Sequence, residues 1–194
     1  MRRQAPALLA RGLALAALLA TLLTTSAAQA DEALWKLVAG GGQVLFVRHS
    51  ETTPGTGDPP GFRLEDCASQ RNLSDEGRAH ARRLGEALAR RKVPLGEVLA
   101  SPWCRCMDTA TLAFGRTRAW QPLSNLFGRQ DNAIGQVRAM RARIAAHRGA
   151  HNLVLVSHGS TGAALSGEYL SMGEVLVLTP AGDGFRVAGR LSIP

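Results

Sequence analysis

Uninterrupted apolar stretches mark the candidate central strands of this chain. Val44–Val47 and Leu153–Val156 contain no polar residue, a pattern typical of strands that are covered on both faces of a parallel sheet. Val98–Ser101, which is apolar up to Ala100, predicts a further short buried strand. Near the C-terminus, Glu174–Thr179 and Phe185–Leu191 flank a turn rich in proline and glycine, which predicts a β-hairpin.

Between these strands, apolar residues recur at helical spacing. Ser74 and the two acidic residues after it predict the start of a helix that stops before Pro94. Pro102 predicts the first turn of a helix that runs to about Phe114. Further helices are predicted over Glu32–Ala39, Gln136–Arg148 and Ser160–Ser166. Strands that alternate with helices and end in a hairpin predict a three-layer α/β/α sandwich with a mostly parallel central sheet.

Residues 1–30 have the pattern of an export signal. Arg2, Arg3 and Arg11 form a basic start, Leu13–Leu23 is apolar, and a small-x-small cleavage site ends at Ala30. The apolar stretch is about half of the ~20 residues that a membrane-spanning helix needs. We therefore expect a signal peptide over 1–30, one domain over 31–194, export to the bacterial periplasm and no membrane span after cleavage. An uncleaved membrane anchor is the alternative.

The positive charge of the chain comes almost entirely from arginine. The formal net charge is +8, of which the first thirty residues contribute three, so residues 31–194 carry +5. Lys36 and Lys92 are the only lysines, and guanidinium groups favour bidentate recognition of phosphate and carboxylate. Nucleic acid is not expected as a partner, because the basic residues are mixed with acids and aromatic residues are scarce.

The sequence contains three cysteines and does not determine which of them form a disulfide. In an exported protein, Cys67 can form a disulfide with Cys104 or with Cys106. The alternative is three buried thiols that act as small apolar residues. The spacing lacks the paired cysteines of zinc sites, so no metal is expected.

Arginine and histidine side chains lie just after three of the predicted strands. Arg48 and His49 come after the first, and His158 comes after Leu153–Val156. Arg105 lies just beyond the predicted strand Val98–Ser101, at the start of a predicted helix. Because α/β sheets build their sites in loops at the carboxyl ends of strands, we expect these four side chains to lie together.

These motifs resemble those of the histidine phosphatase (phosphoglycerate mutase-like) superfamily. The resemblance rests on Arg48-His49, Leu73-Ser74, Ser101-Pro102-x-x-Arg105-x-x-x-Thr109-Ala110 and Ser157-His158-Gly159, in that order. It implies a phosphoglycerate mutase-like fold, His49 as the nucleophile, a phosphate pocket of Arg48, Arg105 and His158, and neither cofactor nor metal.

Phosphoryl transfer is compatible with these residue types, because it needs positioning and neutralisation of charge on the phosphoryl oxygens. A neutral His49 attacks through one ring nitrogen while a backbone carbonyl holds the proton on the other. A protonated His158 is expected to donate to the phosphoryl group. The other histidines, His80, His147 and His151, are interpreted as structural.

The sequence departs from the family pattern at three places, one of which is Gly55, where the family often has an asparagine six residues after the nucleophile. Ser50 stands where the family usually has glycine, and Asn125 stands where members that act on sugar and alcohol phosphates usually carry the glutamate that protonates the leaving group. Glu51 and Asp66 are the candidate replacements for this proton donor, and Asp131 is the next.

Three functional hypotheses remain open. The first is a metal-independent phosphomonoester hydrolase that acts on a small phosphorylated substrate or on a phosphorylated envelope component, such as a lipopolysaccharide sugar phosphate. The second is a phosphohistidine phosphatase, which needs no general acid. The third is a phosphate-binding or sensor protein without catalytic activity.

Overall fold

The computed structural model describes residue 29 and residues 31–193. The predicted signal peptide lies outside the described residues apart from Gln29, so its cleavage stays a prediction. Residues 31–39 are helical and are called α1. The strands that follow are β1 Val44–Arg48, β2 Leu95–Ala100, β3 Arg118–Ala119, β4 Asn152–Ser157, β5 Val175–Ala181 and β6 Gly184–Leu191. The longer helices are α2 Asp75–Arg90, α3 Cys104–Phe114, α4 Ala133–Ala145 and α5 Gly159–Ser166.

The six strands form one mixed sheet in the order β3-β2-β4-β1-β5-β6. The first four strands in this order are parallel, and β5 and β6 are antiparallel to their neighbours. Successive side chains of a strand point to opposite faces of the sheet. Because β1 and β4 contain uninterrupted apolar stretches, both strands have apolar side chains on both faces, and these side chains are buried. The predicted α/β fold with a mostly parallel sheet is confirmed.

Helices cover both faces of the sheet. Met140 and Ile144 from α4 and Leu165 from α5 join one core with Phe46 and Leu155 of the central strands. Helices α2 and α3 pack against each other and cover the opposite face. The amphipathic pattern of α2 therefore serves one layer of the sandwich, as its sequence predicts.

The ends of α2 and α3 show how local sequence sets the element bounds. The Ser74 hydroxyl accepts from the backbone N–H of Gly77 at 3.0 Å, which caps α2 as predicted. Helix α3 begins at Cys104 after the cap residue Trp103. Pro102 therefore precedes the helix and does not occupy its first turn, which corrects the sequence-based expectation.

Candidate active site

The carboxyl ends of β1, β2 and β4 meet at one edge of the sheet. Arg48 pairs with Ser157 in the register of β1 and β4, and the backbone N–H of His49 donates to the Ser157 carbonyl at 2.9 Å. The Ser101 hydroxyl, after β2, lies 2.8 Å from Nε2 of His158. The ring centroids of His49 and His158 are 5.4 Å apart. The parallel register therefore brings the two histidines together.

His49 is held as a neutral imidazole. Its Nδ1 lies 2.9 Å from the carbonyl oxygen of Ser50, and because a carbonyl can only accept, Nδ1 carries the proton. Burial lowers the pKa of His49 from 6.5 to about 3, against the raising effect of the Ser50 hydrogen bond, and the charges of Arg105, Arg48 and Arg71 lower it further. Its Nε2 therefore keeps an unprotonated lone pair near neutral pH.

His158 is neutral as well. Burial lowers its pKa well below 6.5, and the proximity of His49 and of Arg105 adds to the effect. The guanidinium groups make a further positive charge unfavourable, which argues against the expected protonated His158. The neutral ring still offers one N–H as a donor.

Two arginines at the cavity are anchored through Nη1. The Nη1 of Arg48 donates to the carbonyl oxygen of Leu170 at 2.6 Å. The Nη1 of Arg71 donates to the Thr52 hydroxyl and to the Gly55 carbonyl, each at 2.8 Å. Each guanidinium is thus fixed at one end by a group that does not neutralise its charge.

Arg105 is anchored by a buried carboxylate. Its Nη1 and Nη2 donate to the two oxygens of Asp58 at 2.6 and 3.2 Å, and the side chains are only 2% and 4% exposed. Trp103 Nε1 also donates to Asp58 at 3.0 Å. Burial alone would raise the pKa of the Asp58 carboxyl, but the hydrogen bond and charge of Arg105 lower it below its ordinary value. The pair is therefore ionised and well hydrogen-bonded, as a buried pair requires.

The three guanidiniums share an unusual property. The Nε atoms of Arg48, Arg71 and Arg105 are buried and have no hydrogen-bond partner within the described residues. An N–H in this situation is costly unless a ligand accepts from it. Gly159 makes room for one of them, because a Cβ there would come within 3.1 Å of the Arg48 guanidinium. Three guanidiniums, each with one N–H that no described residue accepts, are therefore among the residues that line the cavity.

Arg71 and Asp58 were not identified as site residues from the sequence. Both lie in the long segment between β1 and α2, where no periodic pattern points to them. One signal was available for Asp58, because a buried Arg105 needs a nearby negative charge and the segment contains few acids. No comparable signal marks Arg71.

The three proton-donor candidates do not reach the cavity. Glu51 and Asp131 are exposed, and Asp66 caps a short 3-10 helix and pairs with Arg63 at 2.7 Å. None of these carboxyls is among the residues that line the cavity with His49. Asn125, in contrast, does line the cavity.

The orientation of Asn125 is fixed by two donors. Its Oδ1 accepts from the Ser160 hydroxyl at 2.8 Å and from the Phe127 backbone N–H at 3.1 Å. The acceptor end of the amide is therefore occupied, and the NH₂ group is left as a donor. Asn125 can hydrogen-bond an anionic or hydroxyl oxygen but cannot protonate a leaving group.

Ser50, in place of the family's glycine, connects the nucleophile loop to α2. Its hydroxyl lies 3.3 Å from Nδ1 of His80, and Nε2 of His80 lies 2.8 Å from the carbonyl oxygen of Ile193. Because that carbonyl can only accept, His80 carries its proton on Nε2 and accepts from Ser50. His80 therefore has the structural role that the sequence suggested, directly behind the site.

A disulfide fastens the same loop to α3. It joins Cys67 to Cys104, the residue that precedes Arg105, whereas Cys106 is a free, buried thiol. Burial raises the pKa of the Cys106 thiol to about 12. The structure thus contains the first of the two pairings left open by the sequence, and Cys106 behaves as a small buried side chain.

The side chains enclose a cavity of about 320 Å³ whose lining includes His49, His158 and the three arginines. Across the described residues, no group of three or more His, Cys, Asp or Glu side chains is placed to hold a metal ion. None of the helices in this part of the chain has the length and apolar character that crossing a membrane requires. Two imidazoles and three guanidiniums are among the groups that line the cavity.

The comparison with family models agrees with the motifs. Residues 44–126 match the model of the histidine phosphatase superfamily (branch 1). This segment belongs to the histidine phosphatase superfamily. It contains Arg48, His49, Arg71 and Arg105, whereas His158 follows it in the chain. Among curated proteins, no relative matches the chain.

Solved structures share the histidine phosphatase fold. The product of open reading frame Rv3214 from Mycobacterium tuberculosis has a TM-score of 0.58 at 17% identity, over 75% of this chain and 94% of that chain. SixA from Agrobacterium tumefaciens has a TM-score of 0.52 at 22% identity, over 77% and 97%. A protein histidine phosphatase SixA complexed with tungstate has a TM-score of 0.52 at 17% identity, over 77% and 96%. These similarities establish the common fold.

Proposed function

We propose that the protein is a metal-independent phosphatase that hydrolyses a phosphomonoester through a phosphohistidine intermediate on His49. The observation that carries the proposal is that three guanidiniums, those of Arg48, Arg71 and Arg105, line one cavity with a neutral His49. Three fixed cations match the charge and the acceptor oxygens of a phosphoryl group.

The proposed reaction has two steps. In the first, the Nε2 lone pair of His49 forms a bond to phosphorus while the bond to the leaving-group oxygen breaks and that oxygen takes the electron pair. In the second, water attacks phosphorus, the P–N bond breaks, and inorganic phosphate leaves with regeneration of the neutral imidazole. The arginines stabilise charge on the transferred oxygens throughout, and His158 donates its single N–H.

The leaving group distinguishes a second candidate function. No Asp or Glu lines the cavity among the residues that the structure describes, so a poor alkoxide leaving group would lack a carboxylic acid donor. This observation favours substrates whose leaving group departs without such help, and a phosphohistidine phosphatase is the clearest case. The SixA structure with tungstate, which shares the fold, is named a protein histidine phosphatase.

Hydrolysis of p-nitrophenyl phosphate in the presence of a chelator tests the proposal, because its aryl leaving group needs little protonation. We expect turnover by the wild type, and a loss of about 1,000-fold or more in His49→Gln. His151→Gln, at an exposed position, is the matched control and should retain full activity. A folded wild-type protein that binds vanadate but neither turns over nor forms a phosphoenzyme would instead support the non-catalytic phosphate-binding alternative.

We also propose that the protein is exported to the periplasm after removal of residues 1–30, where a phosphorylated envelope component would be accessible. The basic start, the apolar stretch and the small-x-small site support the proposal. The Cys67–Cys104 disulfide supports an oxidising compartment. N-terminal sequencing of the protein recovered from a periplasmic fraction should begin at Asp31, and recovery of Met1 from the cytoplasm would contradict the proposal.

A further inference from the structure

A second cavity adjoins the first at Asn125. It has a volume of about 420 Å³, and its lining includes Trp103, Gln121, Arg129 and Gln136; we call it the Arg129 groove. Asn125 lines both this groove and the His49 cavity. The two cavities are therefore neighbours that share Asn125, and the Arg129 groove has the volume of an ordinary small-molecule site.

Arg129 brings an uncompensated positive charge to the groove. Its guanidinium lies 5.5 Å from the ring centroid of Phe62 and 5.5 Å from that of Trp103. Its side chain has no hydrogen bond or ion pair with any described residue, and no Asp or Glu lines the groove in the described part of the chain. The two rings hold the cation in place by cation-π contacts without neutralising it.

The amide side chains of the groove are oriented by the protein itself. Gln136 Nε2 donates to the carbonyl oxygens of Pro122 and Ser124 at 3.0 and 2.9 Å. The Gln121 Oε1 accepts from the Ser124 hydroxyl at 3.1 Å. The NH₂ groups of Gln121 and Asn125 are consequently left as donors. A guanidinium with two amide donors favours a ligand that is rich in acceptor oxygens.

We infer that the Arg129 groove binds the leaving-group part of the substrate, and that this part carries a second acidic group, a carboxylate or a phosphate, which pairs with Arg129. The inference rests on the proposed phosphatase function and narrows its substrate class to phosphomonoesters with two anionic groups. The phosphoryl group that reacts binds at His49, and the second anion binds beyond Asn125.

Matched aryl phosphates test this inference. Phenyl phosphate, 4-carboxyphenyl phosphate and 1,4-phenylene bisphosphate have similar leaving groups, but only the last two carry a second anion. We expect kcat/KM to be about tenfold higher for at least one of the charged substrates, and the preferred one identifies the second group as carboxylate or phosphate. Arg129→Gln should remove this preference, and Arg82→Gln, which removes an exposed charge on α2, should keep it.

The outcomes separate the two levels of the proposal. If the wild type does not turn over p-nitrophenyl phosphate, which is assayed beside the three substrates because its leaving group needs little protonation, the phosphatase function itself fails. If it turns over p-nitrophenyl phosphate but neither charged substrate, the inference is overturned. If phenyl phosphate is turned over but the charged substrates gain nothing, or gain equally in wild type and Arg129→Gln, the inference is overturned. A preference for 4-isopropylphenyl phosphate would also overturn it, since that result would place the leaving group at the apolar rim formed by Phe127 and Met172. Equal melting temperatures of the two variants verify that both remain folded.

Discussion

The proposed reaction needs two opposite electrostatic conditions in one cavity. The His49 imidazole must be neutral to act as the nucleophile, and the phosphoryl group must be surrounded by positive charge. Burial and the neighbouring cations satisfy both, because they lower the pKa of His49 to about 3 while the arginines keep their charge. The Nδ1 contact with Ser50 fixes the tautomer, so that the lone pair is on Nε2.

The low pKa of His49 predicts that acid destabilises the fold. Between about 3 and 6.5, the unfolded chain binds a proton on His49 and the folded chain does not, so the free energy of unfolding falls as the pH is lowered through this window. The slope is about 1.4 kcal/mol per pH unit for one such histidine, and His158 adds to it.

Urea denaturation between pH 4 and pH 7 measures this slope. His49→Gln should reduce the slope of the free energy of unfolding against pH by the contribution of one histidine. His151→Gln, the control at an exposed position, should leave the slope unchanged. An unchanged pH dependence in His49→Gln would show that His49 titrates alike in the folded and unfolded states.

Arg71 provides a second prediction at the residue scale. Arg71→Lys keeps a positive charge but removes the Nε–H that the structure leaves unpaired in the cavity. We expect KM for p-nitrophenyl phosphate to rise about tenfold with a smaller change in kcat. Steady-state kinetics beside an Arg82→Lys control measures the effect, and unchanged kinetics would remove Arg71 from the site.

Individual residues differ in how far the sequence could identify them. His49 and His158 were identifiable because each directly follows an apolar strand, and the parallel register fixes where such a residue lies. Arg105 was identifiable in the same way, at the start of the next helix. Asp58 and Arg71 were not, because their positions depend on the folded path of a loop between Ser50 and Leu73, which has no repeating pattern to interpret.

At the scale of elements, the strands were predicted more accurately than the connections. Apolar character alone located β1 and β4, whereas α4 extends over Ala133–Ala145 and not over Gln136–Arg148. The short strand Arg118–Ala119 and two 3-10 turns lie in a region where the sequence predicted nothing regular. These pieces are too short for a periodic signal, and the neighbouring strand β2 determines the pairing of β3.

The disulfide links the loop after β1 to helix α3, and its contribution to the free energy of unfolding can be measured. Cys67 and Cys104 are 37 residues apart in sequence, and a loop of this length restricts the unfolded chain by about 3 to 4 kcal/mol. We expect the double variant Cys67→Ser, Cys104→Ser to lose stability by this order and to raise KM, because the loop carrying Arg71 and Asp58 is released from α3.

Urea denaturation and p-nitrophenyl phosphate kinetics test both effects. Cys106→Ser is the matched control, since Cys106 is not part of the bridge, and a reducing agent should reproduce the double variant. Stability and KM that do not respond to reduction would mean that the loop is held by its other contacts, which include the buried Asp58–Arg105 pair.

For the whole molecule, the residues of the site lower the stability of the folded protein and favour the binding of an anionic ligand. Three buried donors without partners and two neutral histidines among cations are unfavourable for the folded protein alone. We expect a bound phosphate ion to balance this positive charge. Ligand binding should therefore be visible as a change in global stability.

We expect inorganic phosphate or vanadate at about 100 times its dissociation constant to raise the free energy of unfolding by about 2.7 kcal/mol. Thermal unfolding with sodium chloride at equal ionic strength as the control measures the shift. The shift should persist in the presence of a chelator and disappear in Arg105→Gln. A chelator that removed it would point to a bound metal ion in place of the three guanidiniums.

A covalent bond between His49 and phosphorus is the step on which the proposed mechanism depends. Quenching the wild-type protein during turnover, followed by mass spectrometry of its peptides, locates the modified residue. We expect one acid-labile phosphoryl group on His49 and none in His49→Gln. Turnover of p-nitrophenyl phosphate with phosphorus on another residue, or at a normal rate in His49→Gln, would mean that His49 is not the nucleophile.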